Sequence, residues 1–471
     1  MAYNLLLTEI LTAFSGLLIL ALGLAWPKRG RELSGTVSII ALLGILIYAI
    51  CNFSAQQVFF QGIYQVDTYG SFFKILFLIA AILVMLSSSK YVGAFQNKSN
   101  EYYGLLVFAT LGMIVMACAG DFITIYLGLE LMTISFYIMT AYLLEDERSS
   151  EAGLKYLILG AISSAIMLFG MSLVFAMTGT TVISAVAAKI TVAQPALIAG
   201  IGLIMAGFAF KISIVPFHMW APDIYQGAPI PTTTFLAVGS KAAGFAALVR
   251  IFMIAFPLAT FDWSMLLAIL AAVTIIIGNL IALPQTNVKR LLAYSSIAQA
   301  GYILVGLVAG NAYGLKGVLF YAMVYVFANT GAFAVATAVE VETGSTDIEA
   351  FSGLSKRSPF MAAVMTVCVL SLAGIPPMAG FAGKFYLFSG AISSGYLWLA
   401  FIGLLMSMIS VYYYLGISKA MYIGENKGGE SVQIGGAARL AIWVCLLATL
   451  FCGVCPQPLS QMAQYAITLF F

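Results

Sequence analysis

Six ionisable residues stand inside stretches of otherwise apolar sequence: Lys74, Glu130, Lys155, Lys211, Lys241 and Lys384. A charged side chain at the centre of a membrane helix costs about 2.5–3.5 kcal/mol on insertion scales, so its presence there points to a function. Burial disfavours the charged form of a lysine, whereas a nearby carboxylate favours it. Such a lysine can take up and release a proton, and proton transfer is therefore the chemistry that these residues predict.

Depth separates these residues into two groups. Lys241 is nine residues into its apolar stretch, and Glu130 lies near the middle of another. Lys74 and Lys155 lie about two helical turns or less from the ends of theirs, where a long side chain can reach the interface. Lys155 also follows Glu151 by four residues, the spacing of a helical ion pair. Position alone therefore predicts structural roles for Lys74 and Lys155.

Two of the lysines adjoin residues that break helices. Lys211 comes five residues before Pro216, whose ring and missing N–H disrupt the preceding turn. Lys384 follows the run G-I-P-P-M-A-G-F-A-G, whose prolines and glycines disfavour a continuous helix. Unwound backbone is tolerated at membrane depth only where it faces protein or a water-filled cavity. We therefore expect Lys211 and Lys384 to face hydrated space inside the protein.

His218, the only histidine of the chain, comes two residues after Pro216. An imidazole titrates near neutral pH, and closeness to Lys211 in sequence favours a part in proton transfer. A hydrogen-bonded histidine at the membrane interface is the alternative, and the sequence leaves both open. Four acidic residues near the ends of apolar stretches are expected to face water: Glu9, Asp67, Asp121 and Asp262.

Membrane helices are the elements that must position these groups. Of the residues, 62% are hydrophobic and 8% are charged, and the mean hydropathy is +1.04. A soluble chain is roughly a quarter charged. Apolar runs recur that are long enough to cross a hydrocarbon core of about 30 Å. Because lipid cannot bond to backbone groups and no strand-like alternation is present, we predict an all-α integral membrane protein.

Fourteen spans follow from the apolar runs. They are Asn4–Trp26, Thr36–Cys51, Thr68–Leu86, Tyr102–Ala119, Phe122–Leu143, Ala152–Thr178, Pro195–Pro216, Thr232–Phe256, Trp263–Leu283, Leu291–Ala309, Lys316–Val339, Pro359–Phe388, Tyr396–Met421 and Arg439–Gly453. The C-terminal segment Leu459–Phe471 is apolar but too short for a further span.

The two predicted helix breaks lie five spans apart. Discontinuous helices at corresponding positions of two halves are typical of transporters with inverted repeats, and an odd number of spans per repeat inverts the second copy. We therefore predict two inverted five-helix repeats, each containing a broken helix. The predicted boundaries are residues 1–95 for three N-terminal helices, 101–258 and 262–422 for the repeats, and 436–471 for a C-terminal helix.

Lysine and arginine residues outside the spans are distributed unequally between the two sides of the membrane. Loops on one side hold thirteen: Lys28, Arg29, Arg31, Lys90, Lys98, Arg148, Lys289, Arg290, Lys356, Arg357, Lys419, Lys427 and Arg439. Loops on the other side hold three: Lys189, Arg250 and Lys316. The positive-inside rule places the richer side in the cytoplasm. We therefore expect a multi-pass protein of the bacterial inner membrane with both termini on the outer face.

Several functions are excluded by the sequence. Polar connections stay under twenty residues, which leaves no room for a nucleotide-binding domain, and no G-x-x-x-x-G-K-[ST] loop occurs. A single histidine excludes haem ligation by paired histidines. We expect no cofactor or metal in this chain and no nucleic-acid partner.

Five segments carry more specific motifs. They are V-P-F-H-M-W-A-P-D-I-Y-Q-G-A-P-I-P at Val215–Pro231, A-V-G-S-K-A-A-G around Lys241, G-I-P-P-M-A-G-F-A-G-K-F at Gly374–Phe385, Y-L-G-L-E-L-M-T-I-S around Glu130 and K-R-L-L-A-Y-S-S-I-A-Q-A-G-Y at Lys289–Tyr302. Together they resemble the antiporter-like subunits of respiratory complex I, over nearly the whole chain and with the same number and order of spans. Subunit L of that family adds a long lateral helix, and subunit M has glutamate at the position of Lys384. The resemblance is therefore closest to the subunit N branch.

The resemblance implies roles around the first broken helix. Glu130 is similar to the family's carboxylate that pairs with a lysine on that helix, here Lys211. Lys155 matches a lysine near that pair, which adds a functional role to its structural one. Lys74 matches no such residue and keeps its structural interpretation.

Further along the chain, Lys241 and His218 resemble the family's central hydrophilic axis, and Lys384 resembles the lysine at the second break. The resemblance implies that quinone reduction elsewhere in a complex disturbs the charges at Lys211, after which a proton moves through His218 and Lys241 toward Lys384. It also implies that NADH, FMN, iron–sulfur clusters and a quinone belong to other subunits. The implied neighbours are antiporter-like subunit M, the small subunits K and J, and the lipid bilayer.

Two other functions fit much of this pattern. A subunit of a multisubunit cation/proton antiporter of the Mrp type, or of a related membrane-bound hydrogenase or dehydrogenase complex, shares the core motifs. A purely structural subunit that extends a membrane arm is the third possibility, but a scaffold does not need buried lysines at helix breaks.

Overall fold

The computed structural model describes residues 2–95, 98–190, 194–256, 263–425, 432 and 434–471. Its regular structure is helical apart from one antiparallel hairpin of two short strands, β1 (Gln57–Phe59) and β2 (Tyr64–Val66). Within the described residues, twelve helices are long and apolar enough to cross a membrane. The prediction of an all-helical, multi-pass membrane protein is therefore confirmed.

The N-terminal part contributes three long helices: α1 (Leu7–Ala25), α2 (Pro27–Cys51) and α3 (Thr68–Ser88). Asp67 is the N-cap of α3, and its carboxylate accepts a hydrogen bond from the N–H of Gly70 at 2.6 Å. α3 is buried along nearly its whole length, whereas α1 and α2 expose large apolar side chains to the outside. α2 packs against α3, and both α1 and α2 also pack directly against the next long helix, Ser99–Cys118.

Eight α-helices follow in the described residues between 98 and 256: α4 (Ser99–Cys118), α5 (Phe122–Thr140), α6 (Glu147–Thr178), α7 (Ile183–Lys189), α8 (Pro195–Lys211), α9 (Trp220–Gly227), α10 (Ile230–Phe235) and α11 (Lys241–Arg250). α10 and α11 belong to one candidate span that also contains π-helical turns at Leu236–Ser240 and Ile251–Ala255. Such turns occur often at functional sites. One of them directly precedes Lys241, and nothing in the sequence predicts it.

The described residues from 263 onward form nine α-helices: α12 (Ser264–Ala282), α13 (Val288–Ala309), α14 (Ala312–Thr343), α15 (Leu354–Arg357), α16 (Pro359–Ala373), α17 (Ala379–Ser393), α18 (Leu397–Ile423), α19 (Gly436–Val454) and α20 (Gln457–Ala466). α13 and α14 are almost fully buried, whereas α18 and α19 expose large apolar residues. The short α20 packs against α3 and α14.

Both predicted helix breaks are present. α8 ends at Lys211, and Ser213 has a positive φ of 61° before α9 begins. α16 ends at Ala373, and Gly374 has a φ of 85° before α17 begins. With 17 and 15 residues, α8 and α16 are shorter than the helices that can cross a membrane. The count of fourteen spans, the inverted repeats and the domain boundaries therefore remain predictions.

Charged residues lie deeper than the sequence predicts. Six of them were expected at the interface, in water or in loops, and are enclosed by the bundle instead: Lys74, Glu9, Asp67, Asp121, Arg250 and Lys289. Asp262, which was also expected to face water, lies outside the described residues. Since Arg250 and Lys289 were counted as loop residues, the orientation of the termini remains a prediction.

Pairing between helices explains this burial. Lys74 forms an ion pair with Glu9 at 2.6 Å, and Arg250 forms one with Asp67 at 2.8 Å. Lys289 donates to the carbonyl of Ala228 at 2.9 Å. A buried charge is tolerated when partners and hydrogen bonds compensate its lost hydration. The partners come from distant parts of the chain, so their meeting depends on how the helices pack.

Candidate functional site

Lys211 is enclosed at the first helix break. It is the last residue of α8, and only 3% of it is exposed. Its ammonium donates to Thr133 Oγ1 of α5 at 2.6 Å and to the Tyr156 hydroxyl of α6 at 3.2 Å. Its Nζ also lies 5.5 Å from the centre of the Tyr156 ring. The Lys211 ammonium is therefore held by two neutral hydroxyl groups, both of which accept a hydrogen bond from it.

The pairing of Glu130 with Lys211 that the resemblance implies remains a prediction. Among the described residues no ion pair joins the two side chains, although their charges interact. Thr133, three residues further along α5, takes the lysine ammonium instead. The Oε1 atom of Glu130 is buried without a hydrogen-bond partner in the described structure. An unsatisfied buried carboxylate oxygen is costly, and such a group in a native fold points to a functional role.

Lys155 lies at the surface and belongs to an ion-pair cluster. Its side chain is 43% exposed and pairs with Glu151 at 2.7 Å, as its spacing predicts. It also pairs with Asp223 of α9 at 3.2 Å, and Arg290 of α13 binds the same carboxylate at 2.8 Å. The cluster ties α6 and α13 to the short helix that follows the first break. The structure thus places Lys155 outside the buried part of the site.

His218 is buried in the turn between α8 and α9. It is 6% exposed, and its Nδ1 atom lies inside the protein without a hydrogen-bond partner among the described residues. No hydrogen bond in the described structure joins it to Lys211 or Lys241. An unpaired imidazole nitrogen in a buried position can accept a proton or a hydrogen bond from water.

Lys241 lies at the centre of the bundle. It begins α11 directly after a π-helical turn and is 4% exposed. Its ammonium donates to Ser296 Oγ of α13 at 2.6 Å and lies 5.6 Å from the centre of the Tyr225 ring. A cavity of ≈ 10 Å³ beside it is lined by Ser296, Gln299 and other residues. That volume holds about one water molecule.

Lys384 closes the end of a broken helix. It belongs to α17, is 4% exposed, and donates to the carbonyls of Leu372 and Ala373 at 3.0 Å each. These carbonyls end α16 and have no helical partner, since the helix stops there. A third hydrogen bond goes to Ser407 Oγ of α18 at 2.8 Å. The negative end of the helix dipole further stabilises an ammonium at this point.

Gln299 links the surroundings of Lys241 to those of Lys384. This residue of α13 lines the cavity beside Lys241. Its side-chain amide donates to the carbonyl of Leu372 at 2.9 Å, the same oxygen that accepts from Lys384. Tyr321 donates its hydroxyl to the amide oxygen of Gln299. A polar chain therefore runs through α13 between the two lysines.

Aromatic rings fill the space between Lys211 and Lys241. Tyr156, the partner of Lys211, stacks on Trp220 with ring centres 5.0 Å apart and an angle of 11°. Trp220 in turn packs edge-on against Tyr225, and Tyr225 faces Lys241. The connection on this side is thus a stack of rings, in contrast to the hydrogen-bonded chain on the other side.

Sequence inspection missed the neutral partners of the lysines: Thr133, Tyr156, Ser296, Gln299 and Ser407. Thr133 and Gln299 are polar residues inside motifs that were already singled out, and their presence at helical positions was a usable signal. Ser407 lies in an apolar stretch with no such context. Within the described residues, no group of three or more His, Cys, Asp and Glu side chains is placed to hold a metal.

Comparisons with known proteins agree with this architecture. Residues 119–410 match the family model described as NADH:quinone oxidoreductase/Mrp antiporter, TM. The NADH-quinone oxidoreductase subunit N of Desulfitobacterium hafniense is 52% identical over 488 residues, which cover 98% of this chain and 98% of the relative. A chain of respiratory complex I from Thermus thermophilus is 31% identical with a TM-score of 0.85, and the match covers 97% of this chain and 99% of that chain. A chain of the Mrp complex from Dietzia shares the fold, with a TM-score of 0.87 at 20% identity over 98% of this chain and 97% of that one.

The fold and the buried lysines define an antiporter-like membrane protein of the kind shared by NADH:quinone oxidoreductases and Mrp antiporters. By its full-length similarity to the Desulfitobacterium protein, this chain belongs to the NADH-quinone oxidoreductase subunit N family.

Proposed function

We propose that this chain is a proton-translocating membrane subunit of a NADH-quinone oxidoreductase, in which quinone reduction by other subunits drives proton transfer through it. The observation that carries the proposal is the burial of Lys211, Lys241 and Lys384, each at most 4% exposed and each hydrogen-bonded to neutral groups. A lysine that is held by hydroxyls and carbonyls rather than by a carboxylate can lose its proton without leaving a charged partner unpaired.

The first step concerns Glu130 and Lys211. The two charges interact across a gap, so a change in the charge of Glu130 alters how strongly Lys211 holds its proton. The unpartnered Oε1 atom of Glu130 is free to accept a proton or a new hydrogen bond. A signal from a neighbouring subunit therefore needs only to change the protonation or position of this carboxylate.

The second step carries a proton between Lys211 and Lys241. The aromatic stack of Tyr156, Trp220 and Tyr225 offers no continuous proton path, since an indole ring cannot relay a proton. We propose that water reaches the unpaired Nδ1 of His218 when this stack shifts, and that His218 then passes the proton on. In this proposal, movement of the aromatic stack controls proton transfer between Lys211 and Lys241.

The third step runs from Lys241 to Lys384 through α13. Ser296 Oγ can accept a proton from Lys241 while it gives its own to cavity water, because a hydroxyl is both donor and acceptor. Gln299 orients this water and binds the carbonyl that also holds Lys384. From Lys384 the proton moves on toward the outer face.

Lys155 takes a supporting role in this scheme. Its ion pair with Asp223, shared with Arg290, fixes α9, which carries Trp220 at its start. A shift of α9 moves the ring that separates Lys211 from Lys241. We therefore propose that Lys155 acts through the position of α9 rather than as a proton carrier.

The other components of the reaction are assigned to other subunits. NADH, FMN, iron–sulfur clusters and quinone are proposed to lie outside this chain, so that the chain is catalytic only as part of the complex. Subunits M, K and J are the proposed neighbours in the membrane arm. The proposed setting is the bacterial inner membrane with both termini on the outer face.

Lys241→Met tests this function in the intact complex reconstituted into vesicles. We expect normal assembly and a lower ratio of protons pumped to electrons transferred, because methionine fills the site but carries no proton. Lys316→Met is the matched control, since Lys316 lies beside Tyr313 and Tyr386 and outside the relay. A full ratio in an assembled Lys241→Met complex would contradict the proposal and favour a structural subunit. Proton exchange that depends on Na⁺ or K⁺ without NADH or quinone would favour a cation/proton antiporter.

A further inference from the structure

A second group of buried ionisable side chains lies outside this relay, at the end of the bundle that carries the N-terminus. Lys74 of α3 is 3% exposed and pairs with Glu9 of α1 at 2.6 Å. Tyr64 of β2 donates its hydroxyl to the same carboxylate oxygen, Glu9 Oε1. Cys118, the last residue of α4, is buried in the same cluster as Tyr64. Titratable groups from four elements thus meet in one place.

The neighbouring pair of Arg250 and Asp67 shows how a structural ion pair is built. Two guanidinium nitrogens of Arg250 bind the two oxygens of Asp67 at 2.8 and 2.9 Å. Its remaining donors bind Gln65 and the carbonyl of Ala117. Arginine does not lose its proton in proteins. This pair can hold α3 and α11 together, but it cannot pass a proton.

The ion pair of Glu9 and Lys74 differs from that of Arg250 and Asp67 in its residue types and in how completely its atoms are hydrogen-bonded. Both groups titrate, and the carboxylate is bound through one oxygen only. The other oxygen, Glu9 Oε2, is buried without a hydrogen-bond partner in the described structure. The Glu9 side chain as a whole is 12% exposed, so it lies between the interior and the surface. A structural ion pair would not leave one carboxylate oxygen unsatisfied, because that costs free energy.

Helix α3, which carries Lys74, is hydrogen-bonded to α11, which carries Lys241. Tyr69 of α3 donates its hydroxyl to the carbonyl of Ala246 at 2.9 Å, and Arg250 lies nine residues after Lys241 on the same helix. Nine residues of helix correspond to about 13 Å along the axis. Glu9 lies in the first turn of α1, so the predicted outer position of the N-terminus places it near the outer surface.

We infer that Glu9 is a proton-exchange group on the outer side of the membrane and that Lys74 and Tyr64 position it, an inference that rests on the proposed function. One proton from the interior binds Glu9 Oε2 and converts the carboxylate to a carboxylic acid. The same proton then passes to water at the outer face, and the carboxylate is restored. Lys74 stays an ammonium and Tyr64 a phenol throughout, so no other group gains or loses a proton.

Glu9→Gln in the intact complex tests this inference. Glutamine keeps the shape and the acceptor for Tyr64 and Lys74 but carries no exchangeable proton, so we expect normal assembly. The rate of proton release coupled to quinone reduction should fall about tenfold or more, since a positioned proton-transfer group contributes roughly 10²–10⁴-fold. Infrared difference spectra between resting and turning-over complex should lose one carboxylic-acid C=O band. Glu101→Gln, at an exposed position of α4, is the matched control and should change neither measurement.

Tyr64→Phe provides a second test that keeps the ion pair. The variant removes the Tyr64 hydroxyl that donates to Glu9 Oε1. The C=O band should therefore shift without disappearing, an effect that a merely structural role would not produce. Unchanged release and unchanged spectra in both variants would overturn the inference. Lys241→Met, measured in parallel, separates the two proposals. Full pumping in Lys241→Met refutes the proposed function, whereas impaired Lys241→Met with normal Glu9→Gln refutes only the role of Glu9.

Discussion

The two helix breaks hold their lysines in different ways. At the first break, Lys211 ends the helix that stops, and its ammonium binds the hydroxyls of Thr133 and Tyr156. At the second, Lys384 lies on the helix that follows, and its ammonium binds two backbone carbonyls at the end of α16. One lysine thus has side chains as partners, and the other completes a helix terminus.

The reason lies in how each break satisfies its own backbone. After α8, the carbonyl of Phe210 accepts from Trp220 Nε1 at 2.9 Å and that of Ala209 accepts from the N–H of Ile214 at 2.8 Å. The chain therefore caps this helix by itself, and Lys211 is free to change partners. After α16, the carbonyls of Leu372 and Ala373 accept from side chains only: Lys384 donates to both, Gln299 donates to Leu372 and Ser407 donates to Ala373. We conclude that Lys211 can respond to Glu130 at little structural cost, whereas Lys384 couples proton loss to the stability of the break.

The largest expected effect comes from the packing at the second break. A Cβ atom at Gly380 would lie 1.8 Å from the carbonyl oxygen of Ser371, whose hydroxyl also accepts from the N–H of Gly380. Backbone cannot yield at such a distance, so Gly380→Ala should prevent α17 from docking on α16. We expect little or no assembled complex on native gels. Gly416→Ala, with no atom within 4 Å of the new Cβ, is the control and should assemble normally.

Lys384→Met and Lys211→Met together test the difference between the breaks. Both should lower the ratio of protons pumped to electrons transferred. Lys384→Met should also destabilise the protein by roughly 1–3 kcal/mol, because two buried carbonyls lose a charged donor and keep only the neutral donors Gln299 and Ser407. Lys211→Met should cost about 1 kcal/mol or less, because the hydroxyls of Thr133 and Tyr156 lose the lysine donor but can still donate their own hydrogens to nearby acceptors.

Thermal unfolding of the complexes in detergent measures this difference. A midpoint that falls clearly further for Lys384→Met than for Lys211→Met supports the comparison. Equal midpoints would show that the two lysines are held by equivalent contacts, and the distinction between them would fall.

Gln299→Leu tests the polar chain that leaves the centre toward the second break. Leucine removes the amide that joins the cavity beside Lys241 to the carbonyl of Leu372. We expect assembly to persist and the coupled pumping rate to fall by about tenfold, as for the loss of a positioned proton-transfer group. Gln285→Leu, in the turn after α12, is the control for the same side-chain change. Normal pumping by Gln299→Leu would mean that protons reach Lys384 by another route.

Local features of the sequence were sufficient to predict both breaks and the burial of three lysines. Proline and glycine clustered together disfavour a continuous helix, and a lysine in the middle of an apolar run is expected to face the interior of the bundle. The spacing of Glu151 and Lys155 was likewise sufficient for their ion pair, because that contact lies within one helix. Predictions of this kind need no knowledge of the neighbouring helices.

Contacts between helices could not be predicted in this way. Lys74 was expected at the interface because it lies near the end of its apolar stretch, whereas its partner, Glu9, lies on another helix and was itself expected in water. Thr133 takes the place beside Lys211 that was expected for Glu130, since the rotation of α5 decides which of the two faces α8. The π-helical turn before Lys241 has no signal at all in composition or periodicity. Each of these depends on packing across the bundle.

The smallest expected effect concerns the backbone of the first break. Ser213 adopts a φ of 61°, a conformation that costs non-glycine residues about 1–2 kcal/mol, and its hydroxyl is buried without a partner in the described structure. Ser213→Gly relieves both costs, and the greater freedom of glycine in the unfolded chain offsets part of the gain. We expect a net stabilisation of about 1 kcal/mol and unchanged pumping.

Gly374→Ser is the reciprocal change at the second break. Gly374 has a φ of 85°, and a Cβ atom there would lie 2.9 Å from Lys384 Cδ, so this variant should both destabilise the protein and impair pumping. If Ser213→Gly pumps poorly despite higher stability, the strained turn itself takes part in proton transfer. The backbone of the first break and the proton transfer at Lys211 would then depend on each other, contrary to the comparison of the two breaks.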